Sequence, residues 1–455
     1  MKDVYKLFHR PSLILLKTWI HIAIHAYFKR IKVTGRENIP KGTPIIFAPN
    51  HQYAFMDALL IVIITKKIPY FLVRADIFKR SFANFLLRSL KMMPVYRLRD
   101  SVNVVSKNEA TFNTCVEILK KKKHLTIFPE GNHSKIRKIR TIRKGLLRIG
   151  FRTINEDRSN KDLVVIPVGI NYDDHSKFQS DILIKFGKPI PLEDYNDDYN
   201  ENQAKAFSDV SSKIYSELVD LTVNIQYTDS YKFYESVLKI YTPHFMRRIK
   251  SNYKNLLKRF TSYKKIIYGL DKLKESDAEE FKKFEVKNNK FFRQHIKSEF
   301  DPVCLGNFFD SRLQKFANYF LLVLFWPIYM YGLLNNLLAI SIPYFIGKTT
   351  VKDDHFLSSV KLAIGLLSFP ISYLLQSVIF YQFFPNAWFV TLYILSIIIT
   401  GILAKVYQNW IHRFWEMFKI RLLMIKRKRA FIQIKSSYKD LIKTLDDNLL
   451  GPAKK

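Results

Sequence analysis

Asn50-His51 is followed, after five intervening residues, by Asp57. Histidine titrates near neutrality, so an exposed His51 can take the proton of a hydroxyl. A neighbouring carboxylate would fix its tautomer and stabilise the imidazolium that forms. The preceding Ile45-Ile46-Phe47-Ala48-Pro49 reads as a strand and the residues from Gln52 onward as the approach to a helix, so His51 is expected at a strand-to-helix junction. A plainer reading uses the same residues: Asn50 or His51 caps the helix, and Asp57 is a first-turn acid favoured by the helix dipole. On these residues alone, the base and the cap stand level.

Six short runs rich in β-branched residues, 31–34, 44–48, 70–73, 125–128, 163–170 and 182–186, alternate with helical periods. That alternation predicts an α/β fold, a mostly parallel sheet joined by crossover helices, with functional residues where the strands end. Past the fourth run comes Pro129-Glu130-Gly131-Asn132-His133-Ser134, and then a basic run, Lys135, Arg137, Lys138, Arg140, Arg143 and Lys144. A turn rich in backbone N–H groups beside cations suits a phosphate, while a solvated face resting on anionic lipid accounts for the basic run equally well.

The chain has 455 residues, with 74 Lys and Arg against 39 Asp and Glu, for a net charge of +35. Such a charge fits a polyanionic partner, and the 48% hydrophobic content, gathered toward the C-terminal end, favours a membrane over nucleic acid. Neither Cys115 nor Cys304 sits in a zinc-ligand spacing, no Gly-rich nucleotide loop appears, and neither a metal nor a redox cofactor is expected. The expected organisation is a membrane-associated amphipathic helix over 1–29, a catalytic domain over 30–192, a helical region over 193–310, a transmembrane region over 311–410 and a basic tail over 411–455. Segments 316–346, 360–384 and 387–404 have the length and apolarity of membrane spans. Basic residues flank both ends of this region, including Arg312 and Lys315 before it and Arg427, Lys428 and Arg429 after it. The positive-inside rule then puts both flanks and the catalytic domain on the cytoplasmic face. That requires an even number of crossings, so either one segment fails to cross or the long first one crosses twice.

Four blocks, in order, resemble those of the phospholipid and glycerol acyltransferase family, the PlsC-like type with an NHxxxxD motif. They are the strand leading to Asn50-His51 with Asp57; Phe71-Leu72-Val73-Arg74-Ala75-Asp76 with Met93-Pro94-Val95-Tyr96-Arg97; Phe128-Pro129-Glu130-Gly131-Asn132-His133-Ser134; and Val165-Ile166-Pro167-Val168-Gly169-Ile170. The resemblance covers about 31–192. It implies His51 as general base and Asp57 as its orienting acid, with Arg97 and the Glu130-Gly131 turn binding the phosphate of the acceptor, and Lys144 of the basic run is a further candidate for that phosphate. Glu130 would repel a phosphate, so it is expected to organise the loop or to bind an acceptor hydroxyl. The partners implied are membrane lipids, acyl-CoA or acyl carrier protein as thioester co-substrate, and glycerol 3-phosphate or lysophosphatidate as acceptor, with no nucleic acid.

Two departures stand out. Five residues separate His51 from Asp57 where the family commonly has four, and one extra residue turns a helix by about 100°. The pair can meet only across an irregular junction. The longer spacing resembles a branch with fungal glycerol-3-phosphate and dihydroxyacetone-phosphate acyltransferases, which also carry C-terminal spans, and this puts glycerol 3-phosphate first among acceptors. In addition, Asn132-His133 replaces the common Thr-Arg, so Arg97, Arg137, Arg140, Arg143 or Lys144 must supply the cation. A reading of another class, a lipid-binding membrane scaffold without catalysis, predicts that loss of His51 changes nothing.

Overall fold

The computed structural model describes residues 10–79, 81–96, 104–174, 179–296, 321–350 and 354–450. They form two compact units, one of residues 1–224 with 347–366, the other of 225–346 with 367–455.

The first unit opens with α1 (Arg10–Tyr27) and β1 (Arg30–Thr34), then β2 (Ile45–Pro49), α2 (Ala54–Ile64), β3 (Tyr70–Arg74), α3 (Ser81–Ser89) and β4 (Met92–Val95). It continues through α4 (Val104–Lys120), β5 (His124–Thr126), α5 (Gly145–Glu156), β6 (Val164–Tyr172), β7 (Asp181–Phe186), β8 (Ile190–Pro191), α6 (Asn196–Glu201) and α7 (Gln203–Leu221). The strands make one sheet in the order β1-β7-β6-β2-β5-β3-β4, with β8 paired to β6. Pairings around β2 are parallel, as expected: β2 with β5 and β6, and β3 with β4 and β5. The exceptions are β7 and β8, both antiparallel to β6. The link from Tyr172 to Asp181 is too short for a crossover, so the chain turns straight back. Strands β4 and β8 are additions to the six expected runs. One is four residues containing a proline and the other two residues, both too short to show a period.

Side chains of β2 alternate between the two faces. Ile45 and Phe47 join a core with Ile20 and Ile24 of α1 and most of α2, while Ile46 and Ala48 join a second with α4, α5 and α7. Helix α2 is buried on almost every side, which is why its sequence is apolar all round rather than striped.

After α7 the chain continues through α8 (Tyr231–Arg248), α9 (Leu256–Ser276) and α10 (Ala278–Ile296) to three long apolar helices, α11 (Trp326–Thr350), α12 (Asp354–Phe383) and α13 (Ala387–Lys426), with α14 (Lys428–Leu450) last. Asp446 ties α14 to α8, accepting from Tyr241 Oη at 2.5 Å, with His244 Nε2 and Arg248 Nη1 each 3.1 Å away. Helices α11 to α13 are long and apolar enough to cross a bilayer. The first of them is a single helix of 25 residues, about 38 Å long, so it crosses once at most.

A polar seam joins these helices within an otherwise apolar surface. Buried Asn336 donates from Nδ2 to the carbonyls of Gly332 (2.8 Å) and Ile397 (3.0 Å), and its Oδ1 accepts from Tyr373 at 2.6 Å. Helix α13 comes so close to Gly332 that a Cβ there would lie 2.2 Å from the carbonyl oxygen of Thr400. Small residues and interhelical hydrogen bonds are what hold helices together where lipid removes the hydrophobic drive. Asn336→Leu is therefore expected to weaken the bundle by about 1–2 kcal/mol, read as a lower midpoint in detergent-denaturant titration. Gly332→Ala should act in the same direction, because the atom it meets is backbone.

Candidate active site

His51 follows the end of β2, and residues 51–53 belong to no helix. Helix α2 starts at Ala54, whose φ of 45° lies in the left-handed region, uncommon for a residue with a side chain. This irregular turn absorbs the extra residue. His51 and Asp57 meet, with Nδ1 of the imidazole 2.9 Å from Oδ2 of the carboxylate.

Neither Asn50 nor His51 caps α2. The N-cap position is Tyr53, with no side-chain cap bond, and Asp57 instead reaches back to accept the backbone N–H groups of Gln52 (2.9 Å) and Tyr53 (2.8 Å). The Asn50 side chain pairs with the backbone of Ile170 on β6, accepting from its N–H at 2.6 Å and donating to its carbonyl at 3.1 Å. The junction is thus held from both sides. Tyr172, at the end of β6, donates its hydroxyl to the other oxygen of Asp57 at 2.5 Å. Asp57 is 0% exposed, and four donors surround it, as a buried carboxylate requires. Burial pushes the Tyr172 phenol well above its ordinary range, reinforced by the charge of Asp57, so it stays a donor.

An acceptor-only carboxylate at Nδ1 holds the imidazole proton there. The lone pair of Nε2 is then left for another partner. The ring is stacked on Phe128, centroids 4.0 Å apart, and edges against His133 at 5.7 Å.

The turn after β5 is built around Glu130. Its Oε1 accepts the backbone N–H of His51 at 2.9 Å, and its Oε2 accepts both the backbone N–H (3.2 Å) and the Nε–H (2.9 Å) of Arg140. Glu130 therefore fastens the loop to the histidine. Gly131 takes φ 74°, in the left-handed region that favours glycine, and a Cβ there would only touch the Arg143 side chain, at 3.4 Å. Burial raises the Glu130 carboxyl above the usual range, opposed by the His51 N–H and by Arg140. A raised carboxyl pKa contributes stability below the unfolded value and loses it as pH rises through the folded value. Glu130→Gln is expected to flatten that part of the pH–stability curve, measured as denaturation midpoint from about pH 4 to 8. If both proteins lose stability in parallel across this window, Glu130 is not the titrating group.

His51 opens on a cavity of ≈ 260 Å³. Phe55, Ala58, Leu72, Ile77 and Leu146 are among its apolar lining, and Arg74, Gly131, Asn132, His133 and Arg143 supply its polar part. The structure thus brings together His51, Asp57, Glu130 and Gly131. Lys144 is exposed, at the start of α5, and does not line the cavity, and Arg97 lies outside the described residues. Of the other candidate cations, Arg137 is committed to the carbonyls of Tyr172 (2.8 Å) and Asp173 (2.7 Å), and Arg140 to Glu130. Arg143 faces the cavity. Tyr172 went unnoticed in the sequence because a tyrosine ending a buried strand looks like any core residue. A base beside guanidinium groups and an apolar wall suits reaction of an anionic hydroxyl compound with an aliphatic electrophile.

Residues 30–171 match the model of the family described as Acyltransferase. Over 142 residues the chain is 28% identical to the chloroplastic 1-acyl-sn-glycerol-3-phosphate acyltransferase LPAT1 of Arabidopsis thaliana, covering 30% of this chain and 37% of that protein. It is 29% identical over 145 residues to a 1-acyl-sn-glycerol-3-phosphate acyltransferase of Borreliella burgdorferi, covering 32% of this chain and 55% of that one. Over 137 residues it is 26% identical to glycerol-3-phosphate O-acyltransferase 2 of Saccharomyces cerevisiae, covering 30% of this chain and 18% of that one. The chain thus spans well under two thirds of the length of these curated relatives. The crystal structure of PlsC, the 1-acyl-sn-glycerophosphate acyltransferase of Thermotoga maritima, is similar at TM-score 0.34 and 23% identity, over 47% of this chain and 85% of that one.

Proposed function

We propose that this chain is a membrane-bound O-acyltransferase of glycerolipid synthesis that moves a fatty acyl group from an acyl thioester to a hydroxyl of glycerol 3-phosphate. The observation that carries this reading is the His51–Asp57 pair, held by four donors on the carboxylate and open to a cavity, inside the segment that matches the acyltransferase family. Nε2 of His51 removes the acceptor hydroxyl proton as the oxygen attacks the thioester carbonyl. The tetrahedral oxyanion collapses, the C–S bond breaks, and the imidazolium returns its proton to the thiolate, leaving ester and thiol. Asp57 stabilises the transient imidazolium, and the reaction requires no covalent enzyme intermediate.

Arg143 and the Gly131 turn are the groups facing the cavity that can hold the acceptor phosphate, with Arg97 as a further candidate. The apolar wall receives the acyl chain. In this reading residues 30–192 are the catalytic domain, on the cytoplasmic face, with α11 to α13 as its membrane anchor. Glycerol 3-phosphate is favoured by the five-residue spacing and the apolar C-terminal helices. A second acceptor, 1-acylglycerol 3-phosphate, is favoured by the names of two of the relatives.

Membranes containing the full chain, given a labelled long-chain acyl thioester and each acceptor separately, decide between them. Label is expected in 1-acylglycerol 3-phosphate when glycerol 3-phosphate is offered. Labelling of the lysolipid alone would move the enzyme one step along the synthesis, and labelling of neither would overturn the reading.

A further inference from the structure

At the end of the sheet remote from the cavity, lysines from four separate places come together. They are Lys17 on α1, Lys67 after α2, Lys91 just before β4 and Lys123 just before β5. The Nζ of Lys91 lies 5.0 Å, and that of Lys123 5.8 Å, from the ring centroid of Tyr70, the first residue of β3. Two of the ammonium groups are held in place by carbonyls: Lys17 by those of Thr65 (2.5 Å) and Lys66 (3.1 Å), and Lys91 by that of Ile68 (3.0 Å).

Among the described residues none of these four lysines is in an ion pair, although the chain neighbour Lys122 is paired with Asp162. Burial holds the Lys91 ammonium below the usual lysine range, and Lys123, Lys17 and Lys67 each add to that. Gathering like charges around a partly buried ammonium is unfavourable unless an anion completes the group. The place is distinct from the catalytic cavity, since Tyr70 and the four lysines are not among the cavity's lining, which on β3 begins at Leu72, about 7 Å along the strand.

What anion belongs there follows from α1. Two residues beyond Lys17, Trp19 donates its indole N–H to the carbonyl of Leu366 at 3.0 Å, within the first turns of the apolar segment Val360–Phe383. If that segment enters the bilayer, Trp19 stands near headgroup level, where indole rings settle, and Lys17 lies two residues, about 3 Å of helix, from it. The exposed Ile14, Leu15 and Ile22 of the same helix suit that depth.

We propose that Lys17, Lys67, Lys91 and Lys123 form a binding site for the phosphate of an anionic lipid headgroup at the membrane interface. It rests on α12 entering the membrane but not on the catalytic reading. The test is native mass spectrometry of the full chain released from mixed micelles of anionic and zwitterionic phospholipid, comparing wild type with Lys91→Gln/Lys123→Gln, without any acyl donor. Wild type is expected to retain a bound anionic lipid, and the double variant to need about 30-fold more of it for equal occupancy. Its melting midpoint should be unchanged or raised, because like charges have been removed, and Lys91→Arg/Lys123→Arg should keep the lipid. Equal retention by wild type and double variant, or equal retention of anionic and zwitterionic lipid, would overturn the site. Occupancy by inorganic phosphate with no lipid adduct would overturn the lipid assignment. None of these readouts depends on acyl transfer, so a failure here and a failure of the enzymatic reading remain distinguishable.

Discussion

His51→Ala is expected to lower acyl transfer by about a thousandfold or more while leaving the protein folded. The first half follows from position. Among the described residues no other imidazole is bonded to Asp57; His133 edges against the His51 ring. The second half follows from Asp57, which keeps the N–H groups of Gln52 and Tyr53 and the hydroxyl of Tyr172 when the imidazole is gone. No buried charge is stranded, which is the usual way such a substitution unfolds a protein. The measurement is turnover of the labelled thioester beside a thermal denaturation curve for each protein. Equal turnover above background would mean that His51 is not the base, no turnover in either would favour the non-catalytic scaffold, and a collapsed melting curve would move the role of His51 from chemistry to structure.

Much of this arrangement was legible in one dimension, and the parts that were not have identifiable causes. All six strand runs coincide with strands to within about a residue or two at each end, and strands buried on both faces, such as β2 and β6, read as continuous apolar runs. The fourth run, placed at 125–128, begins one residue earlier and stops at Thr126, since the chain must leave the sheet there to form the Glu130 turn. The His51–Asp57 spacing was readable as an obstacle, and its solution was not, because a left-handed Ala54 has no signature in residue type. Tyr172 on β6 bonds Asp57 on α2, and Asn50 just past β2 bonds Ile170 on β6, each pair more than a hundred residues apart in the chain, and pairing of that kind appears only with the fold. The basic run 135–144 behaved likewise. Its residues look equivalent in sequence, yet Arg137 turns into the protein, Arg140 joins Glu130, Arg143 faces the cavity and Lys144 faces outward.

Asp57→Asn separates what the carboxylate does by shape from what it does by charge. Its Oδ2 accepts two backbone N–H groups and the imidazole, so an amide nitrogen in that place would confront three donors. The amide must therefore settle with its oxygen there and its NH2 toward Tyr172, whose hydroxyl can rotate and become the acceptor. In that orientation the proton on Nδ1 is still held and the imidazole keeps its tautomer. What is lost is the negative charge that stabilises the imidazolium as the hydroxyl proton arrives. Removing one such favourable interaction from a site poor in water lowers turnover by about 10²–10³. Asp57→Asn is accordingly expected to lose about that much activity, with a melting midpoint close to that of wild type. Asp57→Ala, which strands the two backbone N–H groups and the tyrosine, should lose stability as well, by about 1–3 kcal/mol. Tyr172→Phe leaves the charge in place and removes one donor from it, so its effect on turnover should be the smallest of the three. If Asp57→Asn retained nearly full activity, the carboxylate would act by orientation alone, and the imidazolium would have to be stabilised by some other group.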